Sequence, residues 1–104
     1  MKYEVKLVDK TLLMRLCGEL DHHAATPLRE AADAAIKADK PKRLVIDMTG
    51  VELMDSSGFG FVMGRYKLMN ESGGSVLVTG CKDRIMKLLK MSGADRFVSI
   101  EGRK

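Results

Sequence analysis

The chain has 104 residues, 45% of them hydrophobic and 31% charged, with a net charge of +4. That length and apolar content fit a single domain over residues 1–104, with no second domain expected, and argue against a disordered chain. No apolar run approaches the roughly 20 residues that span a bilayer. The start, Met1-Lys2-Tyr3-Glu4, alternates polar and apolar residues rather than resembling a signal peptide, so a cytoplasmic protein without membrane association is expected.

Tyr3 to Val8 alternates, with Tyr3, Val5 and Leu7 on one face. Asp9-Lys10 supplies a turn and Leu12 to Cys17 a second strand, so the chain opens as a hairpin. Gly18 to His23 reads as a loop. Ala24 to Asp39 is helical, with Leu28, Ala31, Ala32, Ala35 and Ile36 on one stripe and Pro27 placed as a first-turn proline. Pro41 ends that helix. Leu44 to Met48 is apolar almost throughout, which predicts a central strand buried on both faces.

The second helix is predicted over Ser57 to Asn70, closed by Glu71-Ser72-Gly73-Gly74. Phe59, Val62, Met63, Tyr66 and Met69 take core spacing. Gly60 and Gly64 form a smooth strip four residues apart. Each costs about 1 kcal/mol of helix propensity relative to alanine, which implies a packing reason, either within the domain or against another chain. Phe61 belongs to neither stripe and is expected to be exposed; Arg65 and Lys67 are expected on the outer faces. A fourth strand follows at Ser75 to Thr79, a third helix at Asp83 to Met91 ended by Ser92-Gly93, and a last strand at Phe97 to Ile100. The order ββαβαβαβ predicts an α/β fold with right-handed parallel crossovers.

Cys17 and Cys81 end apolar runs and are expected as reduced, mostly buried thiols. With His22 and His23 they match no zinc spacing, so no metal is expected. The basic residues are dispersed among acidic ones, and aromatics are 5% with no Trp, which leaves no stacking platform for nucleic acid. The net positive charge still favours encounter with an acidic protein.

Chemistry concentrates at Leu53-Met54-Asp55-Ser56-Ser57-Gly58, where a buried strand gives way to a helix. Unpaired N–H groups and a positive dipole end make such a place tolerant of phosphate. A serine hydrolase would use Ser57 with His22 or His23 as base and Asp21 or Asp55 to orient it, but the G-x-S-x-G elbow is absent. A nucleotide site lacks both the Walker and the G-x-G-x-x-G patterns. Two readings remain: Ser56 and Ser57 cap the helix, or Ser57 accepts a phosphate that switches an interface.

Gly18-Glu19-Leu20-Asp21-His22-His23, Met54-Asp55-Ser56-Ser57-Gly58 and Gly64-Arg65-Tyr66-Lys67, in this order across nearly the whole chain, resemble the STAS-domain anti-sigma factor antagonists, with the anti-sigma-F antagonists of endospore-forming bacteria as the nearest likeness. The resemblance implies a mixed, mostly parallel sheet of about five strands with helices on one side. It implies no catalysis and no cofactor, since the nucleotide of such a complex belongs to the partner. That partner is an anti-sigma factor that is also a serine kinase; it phosphorylates the second serine of the motif, here Ser57, and a phosphoserine phosphatase restores it. Asp21 lies beside that serine in the family and helps recognition. Asp55, Ser56 and Gly58 would shape the loop, and Gly60, Gly64 and Arg65 would add contact. Relatives often continue into a further C-terminal helix, which is not expected before Lys104. The rival readings are a small nucleotide-binding or hydrolytic protein and a structural STAS subunit of a stress-sensing assembly.

Overall fold

Five strands lie side by side in the order in which the chain makes them, and the computed structural model describes them within residues 1–103. The elements are β1 (Lys2–Val8), β2 (Thr11–Leu20), α1 (His22–Asp39), β3 (Arg43–Met54), α2 (Ser56–Glu71), β4 (Ser75–Cys81), α3 (Asp83–Met91), a 3-10 turn at Ala94–Arg96, and β5 (Ser99–Gly102). β1 and β2 are antiparallel; the pairs β2–β3, β3–β4 and β4–β5 are parallel. Each crossover advances one strand in the same direction and with the same hand, so α1, α2 and α3 share one face of the sheet. The expected element order and mixed sheet hold.

Register explains where the core sits. Leu12, Leu44 and Val76 line up across β2, β3 and β4, and Met14, Ile46 and Val78 form the next row. All six are buried, together with Leu28, Ala32 and Ile36 of α1, Val62 and Met69 of α2, and Ile85 and Leu89 of α3. The opposite face carries the row Glu4, Arg15, Asp47, Thr79. Arg15 lies 4.0 Å from Glu4 and 3.4 Å from Asp47 in that row. β3 is therefore covered on one face only, with Val45 and Asp47 half-buried on the other. The expectation of burial on both faces fails because no helix crosses to that side.

Other boundaries differ for physical reasons. β2 and β3 pair on to Leu20 and Met54, well past the apolar runs, because the parallel ladder continues into polar sequence. The expected loop over Gly18 to His23 is thus the end of a strand and the start of α1, and Pro27 falls in the second helical turn, where its ring removes a bond to the His23 carbonyl. Gly73, with φ of +77°, closes α2 as expected. Cys81 is fully buried, and burial with the nearby Asp47 charge pushes its thiol up to about 11. Cys17 is exposed, on the uncovered face of β2, contrary to expectation.

Candidate functional site

β2 and β3 end at the same edge of the sheet, and each hands over to a helix through one aspartate. Leu20 pairs with Met54, and the Asp55 N–H donates to the Leu20 carbonyl at 3.3 Å. Asp21 and Asp55 then occupy equivalent positions, both extended, with φ of −107° and −105°. Oδ1 of Asp21 accepts the Ala24 N–H at 2.9 Å, and Oδ1 of Asp55 accepts the Ser57 N–H at 2.8 Å. Each carboxylate satisfies an orphan donor and complements the positive helix end. The Ala24 N–H, ahead of the nearby His23 charge, holds the Asp21 carboxyl below its ordinary value.

The caps are thus aspartates. Ser56 and Ser57 are not caps; they are the first two residues of α2. Ser56 is exposed and Ser57 half-buried. Among the described residues no side chain hydrogen-bonds the Ser57 hydroxyl, neither His22 nor His23 included. Gly58 is buried under Met54, and a Cβ there would collide with Cγ and Sδ of that methionine. The absence of a side chain at Gly58 lets the first turn of α2 settle on the end of β3.

Two shallow hollows flank this edge. One, of about 210 Å³, is lined by Ser57, Gly60 and Phe61 of α2 and by His22, Thr26 and Arg29 of α1. The other, of about 230 Å³, brings Asp21 and Asp55 together with Leu53, which is 48% exposed. Ser57 and Asp21 therefore open onto adjacent hollows rather than a shared one. Arg29 was not visible as a site residue in the sequence. Its signal is helical spacing from His22 through Thr26, legible only once α1 is known to begin at His22.

Gly60 and Gly64 remain on the surface, and a Cβ at either would meet nothing within 4 Å. The strip is not used by the domain's own packing. Phe61 and Arg65, expected outside, are buried at 3% and 4% exposure. Arg65 Nε lies 2.8 Å from Asp33 Oδ1, and the guanidinium stacks 5.2 Å from the Phe61 ring centroid. Burial pulls the Arg65 pKa below its ordinary value, Asp33 works against that shift, and Arg29 adds to it. Arg65 therefore ties α2 to α1 and is not a surface contact. The residues of α2 that face inward are Gly58, Phe61, Val62, Arg65 and Met69. Phe59, Met63 and Tyr66 pack only at the margin of the core.

A family model for the STAS domain matches residues 2–103, and the chain belongs to that family. Its relatives place it among the anti-sigma factor antagonists. It is 39% identical over 89 residues to the anti-sigma F factor antagonist of Paenibacillus polymyxa, covering 86% of this chain and 76% of that one. Its fold matches that of the anti-sigma factor antagonist SpoIIAA in unphosphorylated form, with a TM-score of 0.77 at 25% identity, covering 99% of this chain and 89% of that one. It also matches the Bacillus cell fate determinant SpoIIAA in phosphorylated form, with a TM-score of 0.77 at 27% identity and coverage of 95% and 90%.

Proposed function

We propose that this chain is an anti-sigma factor antagonist switched by phosphate at Ser57. In its unmodified state it binds an anti-sigma factor that is a serine kinase and so frees the sigma factor. Phosphate transferred from the kinase's ATP to Ser57 ends that binding, and a phosphoserine phosphatase resets the module. The work is cytoplasmic, and neither catalysis nor a cofactor resides in this chain. Asp21, Asp55 and Ser56 form the rim of the contact, Gly58 shapes the loop beneath them, and the open strip of Gly60 and Gly64 receives backbone of the partner.

The observation that carries this reading is the state of Ser57. Its N–H is occupied by Asp55 while its hydroxyl engages no group among the described residues, at an accessible helix start. A phosphate there adds about −1.5 to −2 charges at pH 7. The helix end accommodates it, so the domain stays folded. A docked partner would have to desolvate that charge beside the carboxylates of Asp21 and Asp55. SpoIIAA, which the chain resembles in fold, has been solved in both phosphorylation states.

Incubation with the kinase and ATP, followed by mass spectrometric mapping, tests the switch: phosphate is expected on Ser57 and nowhere else. Calorimetry supplies the second arm. Ser57→Ala binds the kinase like wild type and is not released by ATP, whereas Ser57→Asp binds at least about tenfold more weakly. Wild-type affinity for the aspartate variant rejects the charge mechanism, and phosphate mapped to another residue rejects the site.

A further inference from the structure

The core rows described above do not stop at β2. Val5 extends the row of Met14 and Ile46, and Leu7 extends the row of Leu12 and Leu44. Met14 and Leu12 are 0% and 1% exposed, but Val5 and Leu7 are 38% and 44% exposed, and Tyr3 beside them is 45% exposed. The helix layer ends before the sheet does. β1 is an edge strand, exposed at all seven positions, and its outer N–H and C=O groups have no partner among the described residues. Such an edge invites another strand.

We propose that β1 pairs antiparallel with β1 of a second copy of this chain, about a two-fold axis through Val5. The sequence of the strand selects both the occupant and the register. With Val5 opposite Val5, Tyr3 faces Leu7 of the second copy on the helix side, so the apolar rows become continuous across the junction. On the other side Glu4 faces Lys6 of the second copy, and Lys6 faces its Glu4. Within each copy Glu4 already lies beside Arg15, which lies beside Asp47. The added Lys6 extends a ladder of alternating sign, Lys6, Glu4, Arg15, Asp47.

Neighbouring registers lose this match. Centring the axis on Glu4 sets Glu4 against Glu4 and Lys2 against Lys6, and centring it on Lys6 sets two lysines face to face; like charges directly opposite are destabilising. A one-residue slip turns the apolar face of one copy to the polar face of the other. Seven residues a side make a small interface, so the dimer is weak and concentration-dependent. β1 begins beside Cys17, near the Asp21 and Ser57 edge. An antiparallel dimer therefore carries its two sites at opposite ends of one ten-stranded sheet, both accessible. This inference does not depend on what Ser57 does.

Sedimentation equilibrium of the full chain from about 10 µM to 1 mM tests it, a range suited to a small interface. A monomer–dimer equilibrium is expected. Lys6→Glu weakens it about tenfold, since two attractive pairs become repulsive. The swap Glu4→Lys with Lys6→Glu restores it to within about threefold, because the exposed Glu4–Arg15 contact it sacrifices is worth little. Hydrogen exchange of the wild type gives a variant-free check: alternate β1 amides gain protection as concentration rises. A monomer throughout the range, a dimer indifferent to Lys6→Glu, a charge swap without recovery, or β1 amides unprotected in the dimer each overturns the proposal. The first of these outcomes would leave the edge to a strand of another protein.

Discussion

Arg65 is the side chain whose position departs most from its chemistry. A guanidinium at 4% exposure survives because Asp33 lies 2.8 Å from Nε and the Phe61 ring lies beneath it. Nε and Nη1 of Arg65 and Oδ1 of Asp33 make no hydrogen bond of good geometry among the described residues, so the pair is a close ion contact that is incompletely satisfied. Removing one partner of a buried pair costs more than replacing both. Arg65→Met is therefore expected to lower stability by about 1–3 kcal/mol, less than the roughly 3–5 kcal/mol of a fully buried pair because Asp33 keeps some access to water. Arg65→Met with Asp33→Leu recovers most of that loss in urea unfolding. A double variant as unstable as the sum of its singles would show that the pair is not coupled. Residues of this kind limit what the sequence discloses about the site. The place of Ser57 was legible because a serine pair before glycine, after an apolar strand run, marks a strand-to-helix transition; Asp21 was read as a loop residue and was singled out for recognition only through the family resemblance. Arg65 was not, because hydropathy assigns arginine to solvent and only the ion pair with α1 reverses that. The capping role passed from the serines to Asp55 because a carboxylate one position earlier reaches the same N–H groups.

At the scale of elements, α2 carries the clearest conflict between local preference and position. Its glycines at 60 and 64 weaken the helix while packing against nothing in the domain. Gly60→Ala is accordingly expected to raise stability by about 0.5–1 kcal/mol, through helix propensity and a smaller unfolded-state entropy. If partner backbone lies on this strip, the same substitution weakens kinase binding, so stability and affinity move in opposite directions. Thermal unfolding and calorimetry on one variant decide the matter, and unchanged affinity removes the strip from the interface. The glycines also explain why the face of α2 was misjudged. Apolar residues fall on both sides of this helix, and the buried stripe includes Gly58 and Arg65, which give no hydrophobic signal. α3, by contrast, was legible to the residue at Asp83–Met91, because its apolar positions share one face and Ser92-Gly93 stops it. The lengths of β2 and β3 were hidden because backbone pairing continues where side chains turn polar.

For the whole molecule, acid is the perturbation that the uncovered sheet face makes predictable. Asp47 sits in the charged row of that face with its side chain 18% exposed. Burial works to raise its pKa, but the Thr49 hydroxyl at 2.6 Å and N–H at 2.9 Å, with Arg15 beyond them, outweigh burial and hold it below its ordinary value. Glu52 is likewise depressed, by the Lys82 ammonium at 2.9 Å, and Asp21 by its helix. A carboxyl depressed in the folded state stabilises the fold above its unfolded pKa and loses that contribution as the pH falls through the folded one. The thermal midpoint should therefore stay level from pH 7 to about 5 and fall below about 4, where these groups protonate. Asp47→Asn separates the row from the rest of the titration. It is expected to cost about 1 kcal/mol at neutral pH, where the charged acceptor is lost. The cost vanishes toward pH 2, because wild type is then protonated at the same position. Stability curves that converge in acid assign the loss to Asp47 and its bonds to Thr49 and Arg15. Curves that stay parallel would mean that asparagine disturbs packing and that the charge of this row does not hold the sheet together.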